Sequence, residues 1–280
     1  VARKSYKGDV LFHVVGRANG QCLLKGLNLR LLADAPENDL IVVSKAEAEK
    51  KRQQFFRESL NMMKKVFGER VLEKTQLRAS ENPEYIRLPG RVLHLDGDQE
   101  YLNLCLEYYR QLGVPAVGYC VGEELQAGRV EALLHAHRPD LLVLTGHDAM
   151  FRGKAAGKLS SYRHSADFAE AVGKARKVVA DKDGLVIFAG ACQSHFEALM
   201  EAGANFASSP ERIFIHPFDP LFIMQKVAYT SIGRVISPKE VLTNSVVGLA
   251  GIGGVQTRGK LRLGLPKTGL WQKGRRNERD

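Results

Sequence analysis

The strongest constraint on how this chain can fold lies in two apolar runs that each end in a reactive residue. Residues 140 to 149 read DLLVLTGHDA, and residues 184 to 199 read GLVIFAGACQSHFEAL. In each, four or five apolar residues stop at a small turn, and beyond it stands an imidazole, His147, or a thiol, Cys192. An unbroken apolar run bounded by glycine is the pattern of a strand buried on both faces, as in parallel sheets covered by helices. Helical patterns lie between and around the two runs, so they are expected to be neighbours in one parallel sheet with their carboxyl ends on one edge. Open α/β sheets carry their sites on that edge.

The flanking sequence divides into three parts. Residues 1–43 alternate short β-type runs with Gly8, Gly16, Gly20 and the Asp34 to Pro36 turn, the pattern of a small antiparallel β-barrel-like domain. Residues 44–84 shift to Lys, Glu, Arg, Gln and Ala with Phe55, Phe56, Leu60, Met63 and Val66 at helical intervals. This is a charged connector of one or two amphipathic helices, closed by Asn82-Pro83. Residues 85–280 form the α/β part. Strands are expected at Arg91 to Leu95 and Pro115 to Cys120, helices at Glu100 to Leu112 and Glu123 to His137, then the His147 strand. A long loop from Met150 to Ser165 precedes a helix from Ala166 to Ala180, the Cys192 strand and a helix from Gln193 to Ala202. Further short strands are expected at Asn205 to Ser209 and Arg212 to His216, and a helix at Pro238 to Val247. From Gly251 onward the chain is Gly-rich and basic.

A formal net charge of +10 directs attention to acidic partners. The excess is dispersed over residues 44–80, 152–176 and the tail with Lys273, Arg275 and Arg276, so no nucleic-acid groove is defined. Cys22, Cys105, Cys120 and Cys192 form no CxxC pair or disulfide framework, which fits a reducing compartment. No apolar run reaches the length of a membrane helix, and Val1-Ala2-Arg3-Lys4 opens no signal peptide. The expectation is a protein of the cytoplasm, with its true start missing, trimmed or encoded by a non-standard codon, since Val1 stands where Met would.

Cys192 falls between an expected strand and an expected helix, where the unsatisfied N–H groups of a helix start favour thiolate. Position alone leaves two readings open, an activated nucleophile and a buried structural cysteine. His147 on the same edge supplies the acid or base for the first. His195, three residues beyond Cys192, is a rival or auxiliary imidazole. A Cys-x-x-His unit joined by His147, His94 or His216 would bind zinc, although its ligands come from scattered elements. Asp96 and Asp98 end the first α/β strand as pocket acids or as a helix cap. The run Gly248 to Gly254 fails the GxGxxG pattern.

The phrases VARKSYKGDVLF, RVLHLDGDQEYL, LVLTGHDA, YRHS, LVIFAGACQSHFEALMEAGANFASSP and GGVQTRG together resemble the sporulation-specific peptidase YabG family over nearly the whole chain. The resemblance implies a cysteine endopeptidase that processes spore coat and related proteins after basic residues, chiefly Arg. It further implies action in the mother cell at the forming coat, with no cofactor and no metal. The histidine of TGHDA falls on His147 and the cysteine of GACQSH on Cys192, a catalytic dyad. The arrangement is similar to the caspase, legumain and clostripain group, so a caspase-like (clan CD-like) parallel-sheet domain is implied, although Asp148 stands where that group has Gly after its histidine.

On this reading Cys192 attacks the peptide carbonyl, and backbone N–H groups of Cys192 and the Gly146 to Asp148 turn hold the oxyanion. An Arg substrate needs a carboxylate that matches the guanidinium fork, and Asp148, Asp96 and Asp98 are the candidates in that order. The basic loops Arg152 to Lys158 and Tyr162-Arg163-His164 are candidate self-cleavage sites. The alternative from another class is a non-catalytic coat-assembly or adaptor protein in which Cys192 is structural.

Overall fold

The computed structural model describes residues 1–80, 85–245 and 247–265. The Asn82-Pro83 boundary and the basic tail with Lys273, Arg275 and Arg276 lie outside them. The fold is mixed α/β around a mostly parallel six-stranded sheet. We number the elements that position the site as β1 (Phe12–Ala18), β2 (Gln21–Gly26), β3 (Leu32–Pro36), α1 (Lys45–Ser80), β4 (Val92–Asp96), α2 (Gln99–Leu112), β5 (Ala116–Cys120), α3 (Glu123–His137), β6 (Leu141–Thr145), α4 (Ser165–Val178), β7 (Val186–Ala189), α5 (Phe196–Glu201), β8 (Phe206–Ser208), α6 (Asp219–Tyr229) and β9 (Ile252–Gly254).

The sheet runs β9-β8-β7-β6-β4-β5, with every pair parallel except β8 and β9. The two apolar runs are β6 and β7, paired from Leu141 with Val186 to Leu144 with Ala189. Their side chains alternate between two cores, as the two-residue period of a strand requires. On one face Leu93, Leu142, Leu144 and Ile187 pack with Val130 and Leu134 of α3 and Phe168, Val172 and Ala175 of α4. On the other, Val92, Val143, Phe188 and Phe206 pack with Tyr109 of α2 and Phe222 of α6.

The N-terminal residues form an open three-stranded antiparallel meander, β1-β2-β3, rather than a closed barrel, and Ala2–Arg3 pairs separately with Leu40–Ile41. The meander does not keep its own core. Phe12, Cys22, Leu24, Leu31 and Ala35 belong to the same apolar cluster as Val143 and Phe188, which removes the need to close a barrel. Lys25 pairs with Asp98 at 2.6 Å and Arg163 with Asp34 at 2.5 Å, fastening the meander to the α/β part at two more points. The connector is the single helix α1, 36 residues long, which turns Ser59, Met63 and Val66 inward.

Four expectations need correction. Arg212 to His216 is not a strand. The helix expected from Pro238 to Val247 stops at Val241, followed by a 3-10 turn at Leu242–Asn244. The helix beyond Cys192 begins at Phe196, because Gln193 adopts a left-handed φ of 61° and His195 caps the helix by accepting from Ala198 N at 3.2 Å. The Gly-rich segment opens with a strand, β9. It packs there because Gly253 and Gly254 carry no Cβ, which would overlap the rings of Phe196 and Phe206. Helix α6 gave no helical period in the sequence, since nearly all of it, from Asp219 to Val227, is buried apart from Lys226.

A shared core predicts shared unfolding. Leu24→Ala removes a fully buried side chain and is expected to cost about 2–5 kcal/mol. In a denaturant titration followed by circular dichroism and intrinsic fluorescence, the single cooperative transition should shift as a whole. A separate early step confined to the meander would show that it folds by itself.

Candidate active site

The carboxyl ends of β4, β6 and β7 build one edge. Thr145 Oγ1 donates to Gly190 O at 2.9 Å, and Gly190 N donates to Leu144 O at 3.0 Å, so the His147 and Cys192 turns are tied at their bases. The backbone N–H of His147 donates to Glu123 Oε1 at 2.6 Å. Glu123 opens α3 and fills the space left by Gly97 and Gly146, at both of which a Cβ would overlap its carboxylate. Burial alone would raise the Glu123 carboxyl, but its hydrogen bonds with His147 outweigh that and lower it. The imidazole is nearly buried, with Nδ1 3.5 Å from Glu123 Oε1 and Nε2 3.5 Å from Asp98 Oδ2. Nε2 has no hydrogen-bond partner.

Asp148 joins the two turns through its side chain. Its Oδ2 accepts from Ser194 Oγ at 2.8 Å and from Ser165 Oγ at 2.5 Å, and its Oδ1 accepts from the backbone of Ala149 and His164 at 2.8 Å each. Ser194 Oγ in turn accepts from Ala191 N, so the turn that carries Cys192 is held from the His147 side. Burial outweighs these bonds and raises the Asp148 carboxyl above its ordinary value.

Cys192 is fully buried, and its Sγ lies 3.7 Å from Ile215 O. Burial pushes the thiol up to about 12, against hydrogen bonding with the Ile215 backbone and the nearby Arg30 charge. This reverses the sequence expectation of a thiol lowered by a helix start. The helix begins four residues later and is only six residues long, and the sulfur is covered.

The cover is Arg30, in the connection between β2 and β3. Its carbonyl oxygen accepts from Cys192 N at 3.2 Å and from Asp148 N at 3.4 Å. Leu32 N donates to Asp148 O at 3.0 Å, so Leu31 and Asp148 form a parallel bridge. The Arg30 side chain is fully buried and forks onto Asp96, Nη1 to Oδ1 at 2.6 Å and Nη2 to Oδ2 at 2.8 Å. Nε and Nη2 also donate to Pro217 O at 3.3 Å, and the guanidinium carbon stands 4.8 Å from the Tyr101 ring centroid. Burial would raise Asp96, but the Arg30 charge and hydrogen bonds hold it well below the usual carboxylate range. The geometry can bind a guanidinium and polarise the carbonyl of the same residue.

Of the three candidate carboxylates, Asp96 is the one on a guanidinium. Asp98 caps α2, accepting from Glu100 N and Tyr101 N, and pairs with Lys25. Asp148 accepts from neutral donors. His195 spends Nδ1 on capping α5 and stands 5.1 Å, ring to ring, from Tyr162. The residues weighed for zinc are dispersed: His94 is buried 3.4 Å from Asp96, and His216 contacts Ser59 and stacks on Phe55. Among the described residues no group of three or more His, Cys, Asp or Glu could hold a metal ion, and no helix is long and apolar enough to cross a membrane. Sequence reading missed Glu123 and Arg30. Glu123 had a signal, an acid opening a helix directly beyond a strand on the same edge; Arg30 had none.

Comparison with known proteins agrees with the resemblance. The model of the family described as YabG peptidase U57 matches residues 1–266. The sporulation-specific protease YabG of Bacillus subtilis (strain 168) is 44% identical over 279 residues, which cover 95% of this chain and 96% of that protein. No solved structure matches.

The electrostatics at Asp98 predict an acid-sensitive edge. Burial would raise its carboxyl, but the hydrogen bond from Lys25, the Tyr101 N–H and the His147 charge lower it. A lowered folded value adds stability above the unfolded value of about 3.9 and loses it as pH falls below that. Asp98→Asn keeps a capping side chain and removes the charge. Its urea midpoint should fall less steeply than the wild type below about pH 4, and an unchanged slope would refute the assignment.

Proposed function

The chain belongs to the YabG peptidase U57 family, and on that premise we propose that it is a sporulation-associated cysteine endopeptidase that cleaves after Arg. Cys192 is the nucleophile and His147 its acid and base. Glu123 positions the imidazole, the N–H groups of Cys192 and Asp148 hold the oxyanion, and Asp96 receives the substrate guanidinium. One observation carries this reading: a carbonyl accepts from Cys192 N and Asp148 N while the side chain of the same residue, an arginine, forks onto Asp96. Donors supplied by the nucleophile and by the residue after the histidine also support kinship with the caspase, legumain and clostripain group. Spore coat and spore-assembly proteins in the mother cell are the proposed substrates, following the relative's name and the family resemblance.

In the proposed reaction His147 takes the Cys192 proton as sulfur attacks the carbonyl carbon. The tetrahedral oxyanion stays on the two N–H groups, His147 gives the proton to the departing amine, and water hydrolyses the thioester. An oxyanion donor is typically worth about 10²–10³ in kcat, which is why the turn geometry enforced by Asp148 matters. Asp148 thus supports the oxyanion site with its backbone and holds the Cys192 turn with its side chain.

Cleavage of a peptide with a single Arg by the wild type, Cys192→Ala and His147→Ala tests the dyad. Both variants should fall to background, and a Cys192→Ala protein that still cleaves would sink the mechanism. The pocket is tested with Asp96→Asn made together with Arg30→Gln, so that no buried guanidinium is left unpaired. Relative to Arg30→Gln alone, kcat/KM for the Arg peptide should fall roughly 10–150-fold, the worth of hydrogen bonds to charge at about 1.5–3 kcal/mol. An equal loss on a peptide with Gln at that position would show that Asp96 does not select Arg.

A further inference from the structure

We propose that the Arg30–Leu31 peptide bond is this chain's own self-cleavage site, and that until it is cut Arg30 fills the pocket meant for other substrates. The inference rests on the reading of Cys192, His147 and Asp96 given above and extends it to a substrate within the molecule. Arg30 meets the requirements of a bound substrate residue. Its carbonyl oxygen is held by the N–H groups of Cys192 and Asp148 at 3.2 and 3.4 Å. Its guanidinium is fully buried against Asp96, the Tyr101 ring and Pro217 O. The residues that follow continue as an extended strand along the His147 turn, through the Leu31 and Asp148 bridge and the bond from Leu32 N to Asp148 O. Main-chain pairing of an extended segment with specificity from one side-chain pocket is how peptides are commonly read by a sheet edge.

A structural role alone does not explain this geometry. Arginine is almost never fully buried unless paired, and Asp96 supplies the pair. Pairing, however, constrains only the side chain. Nothing in a fastening role requires the carbonyl of the same residue to sit on the backbone of the one cysteine that ends a central strand. The contrast with the loops singled out in the sequence is direct. Residues 152–158 are exposed, and Arg163 is engaged with Asp34.

The step is hydrolysis. Cys192 sulfur bonds to the Arg30 carbonyl carbon, the bond from that carbon to Leu31 nitrogen breaks, and the thiol proton reaches the Leu31 amine through His147. Water then cleaves the thioester, leaving a carboxylate on Arg30 and restoring the thiol. Because enzyme and substrate are one chain, the first cut is first order and independent of dilution.

The test uses the full chain made by cell-free synthesis and followed from the start by intact mass, with a single-Arg peptide as external substrate. Wild type, Cys192→Ala and Arg30→Gln are compared, each checked for folding by circular dichroism. The wild type should yield fragments 1–30 and 31–280 at a rate unchanged by tenfold dilution. External hydrolysis should show a lag that matches their appearance. Cys192→Ala should stay intact, and Arg30→Gln should stay intact at this bond and hydrolyse the peptide without the lag. If Arg30→Gln does not fold, wild type against Cys192→Ala decides, since that variant keeps every Arg30 contact except the thiol. A wild type that turns over the peptide yet stays intact at Arg30–Leu31, or is cut only at loops such as 152–158, overturns the inference and leaves the peptidase reading standing. A wild type that cuts neither itself nor the peptide overturns both.

Discussion

The buried ion pair between Arg30 and Asp96 is the interaction on which the rest of the arrangement depends. Taking two charges out of water is costly, and a pair of this kind contributes only when geometry and further hydrogen bonds satisfy both ions. Here the fork is bidentate, Pro217 O takes remaining guanidinium protons and Asp98 N donates to Asp96 Oδ1 at 2.9 Å. Losing one partner of such a pair typically costs about 3–5 kcal/mol. The pair also fixes where the N-terminal meander docks, and through the Arg30 carbonyl it fixes what lies against Cys192. Docking of the meander and exposure of Cys192 are therefore set by the same contact.

Much of the α/β part was legible because strands buried on both faces leave continuous apolar runs, and Gly146 and Gly190 marked where they end. The edge shared by His147 and Cys192 followed from that pattern and from chain order. What lay hidden depended on partners distant in sequence. Arg30 looks like any basic residue in a β-rich segment, and its carboxylate is 66 residues away. Asp148 stood first among three pocket acids expected at strand ends on one edge, whereas the structure uses it to join Ser165 and Ser194 across two turns. The start of α5 was misjudged because a left-handed Gln193 has no signature, unlike a glycine. Helix α6 and strand β9 were missed for opposite reasons: one is too uniformly buried to show a period, and the other is built of glycines that strand propensity disfavours.

Electrostatics on the edge also differ from what strand ends alone suggest. A cysteine at such a place invites comparison with thiols lowered by helix starts or cations. In the covered state the balance runs the other way, because burial outweighs both the Arg30 charge and the backbone hydrogen bonds, and the thiol is raised to about 12. Reaction of Cys192 with outside reagents thus requires the edge to be uncovered, whereas attack on Arg30, as proposed, needs His147 to take the thiol proton. A thiol kept protonated under its own chain is protected from oxidation, which proceeds through the thiolate.

Glu123, lodged against Gly97 and Gly146, spans the ends of β4 and β6 at the first residue of a helix that itself packs on the sheet. The imidazole therefore takes its orientation from strand register and helix placement, while the end of the long connection from Met150 to Ser165 acts on the next residue, through the bonds of His164 N and Ser165 Oγ to Asp148. Residues 152–158 of that connection are exposed, so a change in their length or charge would alter the surface beside the edge while leaving Glu123 and the register that places His147 untouched.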